Sequence, residues 1–198
     1  MSILQDIPTD KQRAILKAQE WMARDPLFLD TETTGLDHTA EACEIAVVNT
    51  DGLVVFHSLV KPTRPIPTDA TGIHGITDEM VKDAPTFAEV APTLWEKLSG
   101  HLVIAYNANY DSRIIMQSEH ISKAPGRTNE QGWNWGCAMH LYARYRGDWN
   151  ERRHQYRWQT LGAAAQQCGI VVHADLHRAQ ADVEICRRIV AHVAETKA

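Results

Sequence analysis

An apolar run, Leu27, Phe28 and Leu29, passes without a break into Asp30, Thr31 and Glu32. At the period of two that governs a β-strand, Asp30 and Glu32 point to one face, so a buried strand over 27–31 ends in two neighbouring carboxylates. Two acids at the mouth of an apolar strand repel each other unless a cation sits between them, and the arrangement therefore calls for a bound divalent ion. The bland alternative is a strand that runs into a polar turn, with Gly35 supplying a positive φ. This stretch alone does not choose between the two.

The 198 residues, 44% of them apolar, suffice to bury a full core and fit one α/β domain. We divide it into an N-terminal helical addition over 1–25 and a main domain over 26–198. No run reaches the length of a membrane helix, and the polar first ten residues lack the basic and apolar regions of a signal peptide, so the expected location is cytoplasmic, with no membrane partner. Cys43, Cys137, Cys168 and Cys186 lie far apart without a C-x-x-C pair, which argues for reduced, mostly buried thiols. The net charge of −5, from 20 basic and 25 acidic residues, argues against broad electrostatic binding of a polyanion. Divalent cations held by an acidic cluster would reverse that locally and let a phosphodiester bind through metal.

Along the chain, Thr9 or Asp10 caps a first helix through about Arg24, with Ile15, Ala18 and Met22 as its apolar stripe. Apolar segments over 41–49 and 53–60, joined through Thr50, Asp51 and Gly52, predict a hairpin. A long connection over 61–77 follows, containing Pro62, Pro65, Pro67 and the phrase Gly72-Ile73-His74-Gly75-Ile76-Thr77. The remaining pattern predicts a helix over 86–98, a strand over 102–106, a helix over 107–120 and a loop over 122–132. A strand over 133–137 and helices over 138–145, 160–168 and 179–195 complete it, the last with Val183, Cys186, Val190 and Val193 inward. This order implies a mixed sheet with helices on both faces.

Two more acids stand at helix starts: Asp111, four residues after Asn107, and Asp182, five after His177. Five helical residues turn through roughly 140°, so His177 and Asp182 share no helix face, and His177 belongs to the loop entering the last helix. Singly, each residue reads as an ordinary helix-terminal acid or surface histidine.

Together the stretches Phe28-Leu29-Asp30-Thr31-Glu32-Thr33-Thr34-Gly35-Leu36, Ala105-Tyr106-Asn107-Ala108-Asn109-Tyr110-Asp111 and His177-Arg178-Ala179-Gln180-Ala181-Asp182 resemble, in order, the three motifs of the DEDDh (DnaQ-like) 3′→5′ exonucleases. The likeness spans about residues 26 to 195, and Ile73 to Thr77 resembles the family's connecting phrase. It implies a ribonuclease H-like mixed five-stranded sheet, two Mg²⁺ or Mn²⁺ ions on Asp30, Glu32, Asp111 and Asp182, and release of nucleoside 5′-monophosphates from a 3′ end. Hard carboxylate oxygens suit those ions. His177 becomes the general base, a task for which an imidazole titrating near about 6.5 is suited. Thr34, Gly35 and Leu36 become the surface for the terminal nucleotide, with Asn107 beside it.

The motifs do not separate DNA from RNA as substrate, which depends on whether the pocket accepts a 2′-hydroxyl. A non-catalytic nucleic-acid-binding module on the same fold is the reading from another class, and the five filled catalytic positions weigh against it. A DNA polymerase and a second copy of the chain are the candidate protein partners. Finally, the stretch 144–158 interleaves Arg144, Arg146, Arg152, Arg153 and Arg157 with Tyr145, Trp149, Tyr156 and Trp158. Arginines pair with phosphates and aromatic rings stack on unpaired bases, which makes this stretch, and Arg152 with Arg153 above all, the candidate holder of the incoming strand. The competing reading is a solvated loop whose aromatics cover the core, with Asp148 and Glu151 neutralising part of the charge.

Overall fold

The computed structural model describes residues 8–125, 134–171 and 177–197. Helix α1 (Asp10–Met22) starts from a reciprocal cap: the Gln12 amide donates to the Thr9 hydroxyl and the Thr9 amide to the Gln12 side chain. Strands β1 (Leu27–Thr33), β2 (Ala42–Val48) and β3 (Val54–Leu59) follow as an antiparallel meander. The β2–β3 turn requires Gly52, which sits at φ +81°. Then come α2 (Thr68–His74), α3 (Asp78–Val81), α4 (Phe87–Leu98), β4 (Leu102–Ala105), α5 (Ala108–Ser122), β5 (Asn134–Cys137) and α6 (Ala138–Arg146). A ribbon of β6 (Trp149–Asn150) and β7 (Gln155–Tyr156), then α7 (Leu161–Gln167) and α8 (Ala179–Glu195), complete the chain.

The sheet runs β3-β2-β1-β4-β5, with β4 parallel to both β1 and β5. Its inner strands β2, β1 and β4 are buried on both sides because helices cover both. Phe28, Ala46, Val48 and Ile104 face Ile15, Ala18, Val183, Cys186 and Val190 of α1 and α8. Leu27, Leu29, Ile45, Val47 and Val103 face Phe87, Leu94, Ile114 and Ile115 of α4 and α5. Helix α1 thus shares the core of the main domain. The Trp21 ring lies so close over β5 that a Cβ on Gly136 would stand 3.0 Å from it.

The fold bears out the predicted mixed five-stranded sheet and corrects four details. Strand β1 continues to Thr33, so Glu32 lies inside the strand. The connection over 61–77 is not a loop, since α2 occupies Thr68–His74 and seals a small core of Cys43, Ile66, Ala70, Ile76 and Val81. The arginine-rich stretch over 144–158 is split between the end of α6, which holds Arg144 and Arg146, and the β6–β7 ribbon. Gly35 does not adopt a positive φ. Trp133 and most of the loop expected over 122–132 lie outside the described residues. All four cysteines are free, Cys43 and Cys186 buried and Cys137 and Cys168 half-buried. Among the described residues no helix is long and apolar enough to cross a membrane.

Candidate active site

Strands β1 and β4 are parallel, so the acids of β1 and the start of α5 meet at the same end of the sheet, where ligands gather in open α/β folds. Asp30 and Glu32 project toward α8, which delivers Asp182 from its first turn. One carboxylate oxygen from each of Asp30, Glu32 and Asp182 lies within 4.8 Å of the others. Asp111 reaches the site from the opposite face and stands outside this trio. It is buried, and its Oδ1 accepts a 2.9 Å hydrogen bond from Thr31 Oγ1. The alternation that sends Asp30 and Glu32 to one face sends Thr31 to the other.

Crowding is visible in the protonation equilibria. Burial, then the charges of Asp111, Asp182 and Glu32, push the Asp30 carboxyl well above its usual range. Burial, Asp182 and Glu44 push Glu32 up to about 7, against the pull of Arg178. Burial also raises Asp111 to about 7 in spite of the Thr31 hydrogen bond, and raises Asp182 in spite of its contacts with His177. Four acids with raised values in one place are acids short of a cation. The buried Oδ1 of Asp182 has no hydrogen-bond partner, a cost that a metal ion bonded to that oxygen would remove. Hard oxygen donors of this kind fit Mg²⁺ or Mn²⁺.

The family model described as "Exonuclease" (RNase_T) matches residues 27–190. The chain belongs to this exonuclease family. The exonuclease CP81 of Escherichia phage 186 is 41% identical over 180 residues, covering 88% of this chain and 90% of that protein. The DNA polymerase III subunit epsilon of Treponema pallidum is 32% identical over 164 residues, 81% of this chain and 72% of its own length. Among solved structures, exonuclease X in complex with 5′-overhanging duplex DNA superposes with a TM-score of 0.63 at 29% identity, over 84% of this chain and 89% of that one.

In this exonuclease His177 is exposed and sits two residues ahead of α8 at φ +71°, off the helix as expected from the spacing. Thr34 closes the loop after β1 by accepting from the Glu41 amide at 3.0 Å. Above Gly35 nothing lies within 4 Å of where a Cβ would stand, and Leu36 is 82% exposed. That loop is held from α5, a role the sequence did not disclose. The Tyr110 hydroxyl donates to Gly35 O at 2.8 Å, and Arg113 donates to the carbonyls of Leu36 and Asp37 at 3.1 and 2.9 Å. Asn107 caps α5 by its backbone, with no side-chain cap bond.

His74, from the phrase after Gly72, was likewise unassigned by the sequence. Its Nδ1 accepts from the Ile76 amide at 3.0 Å, so the 3.2 Å contact of Nε2 with Thr33 O requires the neutral Nε2–H form. Burial, which lowers its pKa, favours that form, and the bond pins the last residue of β1 beside Glu32.

Arg152 and Arg153 are exposed at the turn of the β6–β7 ribbon and are not among the residues that the carboxylate trio brings together. With Arg157, Trp158 and Gln159 they line a cleft of about 690 Å³. Asp148 pairs with Arg157 at 3.3 Å, and among the described residues no acid pairs with Arg152 or Arg153. The ribbon returns to the site end of the sheet, where Tyr106, the residue after β4, donates its hydroxyl to Gln159 O at 2.8 Å.

Proposed function

We propose that the chain is a 3′→5′ exonuclease that hydrolyses DNA from single-stranded or frayed 3′ ends and releases nucleoside 5′-monophosphates, with Asp30, Glu32, Asp111 and Asp182 holding two Mg²⁺ or Mn²⁺ ions. The observation that carries this reading is the convergence of Asp30, Glu32 and Asp182 within 4.8 Å, with a buried Asp182 oxygen left unpartnered. Bound there, divalent ions supply Lewis-acid stabilisation of the attacking and leaving oxygens of an in-line displacement.

The chain's own residues do the rest. His177, on the exposed step into α8, takes the proton from the attacking water. The open space over Gly35 receives the terminal sugar, and Leu36, exposed and held by Arg113, lies against its base. Arg152 and Arg153 hold the phosphates of the strand behind it. DNA is favoured over RNA by the DNA in the exonuclease X complex. A DNA polymerase is the candidate protein partner, because a relative at 32% identity is a polymerase subunit. The working location is the cytoplasm.

The test is a substrate panel: labelled single-stranded DNA, duplex DNA and RNA of one sequence, each with Mg²⁺ and with EDTA. Shortening of the DNA strands in Mg²⁺ and none in EDTA is expected. Faster shortening of RNA than of DNA would move the reading to an exoribonuclease.

A further inference from the structure

Glu44 stands directly opposite Glu32 in the β1–β2 ladder, and like charges so placed repel. Its side chain is 1% exposed, yet both oxygens are engaged. Oε1 accepts from Arg178 Nη2 at 2.7 Å and meets His57 Nε2 at 2.9 Å, while Oε2 accepts from Arg178 Nε at 3.0 Å and from the Ala179 amide at 3.1 Å. Burial opposes ionisation of Glu44, but these hydrogen bonds outweigh it and hold its pKa below the usual range.

Helix α8 needs that carboxylate. Arg178 occupies its N-cap position and makes no side-chain cap bond, and arginine is not among the residues suited to that task. The Ala179 amide is the first of the helix, belongs to a fully buried residue, and carries the partial positive charge of a helix start. Glu44, 135 residues earlier in the chain, supplies the acceptor and the charge.

We propose that Glu44 is a positioning residue that caps α8 from the neighbouring strand and thereby sets where Asp182 and His177 stand relative to Asp30 and Glu32. Asp182 lies three residues beyond the capped amide and His177 two before it, so both inherit the placement of the cap. The bidentate pair has a second effect. Arg178 also acts on Glu32, and Glu44 keeps that guanidinium from competing for the Glu32 carboxylate with a metal ion. This inference rests on the nuclease reading above.

Calorimetric titration of Mn²⁺ alone into the full, metal-free chain reads ligand placement without turnover. Glu44→Gln keeps the shape and one acceptor oxygen but breaks the two-pronged pair. Its Mn²⁺ affinity should fall by about 10- to 100-fold, the range for outer partners of metal ligands. The Mn²⁺ concentration for half-maximal cleavage should rise in parallel, with the oligonucleotide KM at saturating Mn²⁺ unchanged. Glu44→Asp keeps the charge but withdraws both oxygens by one methylene, and should show the same defect to a smaller degree. It decides the matter alone if Glu44→Gln does not fold. Variants that bind Mn²⁺ as the parent does, and differ from it only in melting temperature, overturn the positioning role and leave the nuclease reading intact. A parent that neither binds Mn²⁺ nor cleaves overturns both.

Discussion

Thr31 donates its hydroxyl to Asp111 across 2.9 Å on the face of β1 turned away from Asp30 and Glu32. One strand thus presents two acids on one side and retrieves a third acid from α5 on the other. Thr31→Val preserves the shape and deletes that hydrogen bond, which now holds the Asp111 carboxyl down against burial. Without it Asp111 ionises at higher pH, so the acidic limb of the cleavage rate at fixed Mg²⁺ should move to higher pH. A profile that overlays the parent's would separate Asp111 from the reaction.

His177, the proposed general base, stands outside α8, where its left-handed backbone turns the chain into the helix. His177→Ala should lose roughly 10²- to 10⁴-fold in single-turnover rate, the span for positioned proton transfer, while calorimetry shows Mn²⁺ still bound. An unchanged rate would return His177 to an ordinary surface residue.

The crowded carboxylates also predict how the metal-free protein responds to pH. Glu32 titrates at about 7 in the fold against an ordinary 4.5, so between those values the native state binds protons that the unfolded chain has released. Stability therefore falls as pH rises through that window, by roughly 3 kcal/mol for Glu32 alone. His74, buried and neutral with a lowered pKa, works in the opposite direction, so the comparison is with Glu32→Gln. From about pH 5 to about pH 8 in EDTA the parent's melting temperature should decline relative to Glu32→Gln, and Mn²⁺ should restore it at the alkaline end. Parallel curves, or no response to Mn²⁺, would contradict the assigned cluster.

Much of this site was legible because its signals are local. Asp30 and Glu32 declare their shared face by a spacing of two, and the apolar stripe of Val183, Cys186, Val190 and Val193 gave α8 with the bounds observed. What was hidden depends on contacts distant in sequence. Glu44 lies between apolar Cys43 and Ile45, and the two α8 residues it binds, Arg178 and Ala179, are more than 130 residues away. That Asp111 comes to Asp30 from the other face of β1, bonded to Thr31, depends on a contact 80 residues apart. Helix α2 was masked by Pro62, Pro65, Pro67 and Gly72, although Pro67 in fact stands at its N-cap. The two-residue strands β6 and β7 are too short for any periodicity to reveal.

The β6–β7 ribbon carries a graded claim. Replacing Arg152 and Arg153 together by Ala should weaken binding of a long single strand and make the log-log salt slope shallower by about 0.7 for each phosphate that is no longer neutralised. Cleavage of a dinucleotide, too short to reach the ribbon, should hardly change. Normal binding with the parent's salt slope would reduce the ribbon to structure.

The central claim is that Asp30, Glu32 and Asp182 form a metal-loaded centre that cuts from the 3′ end. It is tested most directly by following a 5′-labelled single-stranded DNA with the parent and with Asp182→Ala, in Mn²⁺ and in EDTA. The account predicts a ladder of progressively shorter labelled strands for the parent in Mn²⁺, no ladder in EDTA, and a rate lower by roughly 10³-fold or more for Asp182→Ala. That variant should stay folded, because the substitution relieves charge repulsion within the trio. A ladder that persists in EDTA, or that forms equally fast with Asp182→Ala, would contradict it.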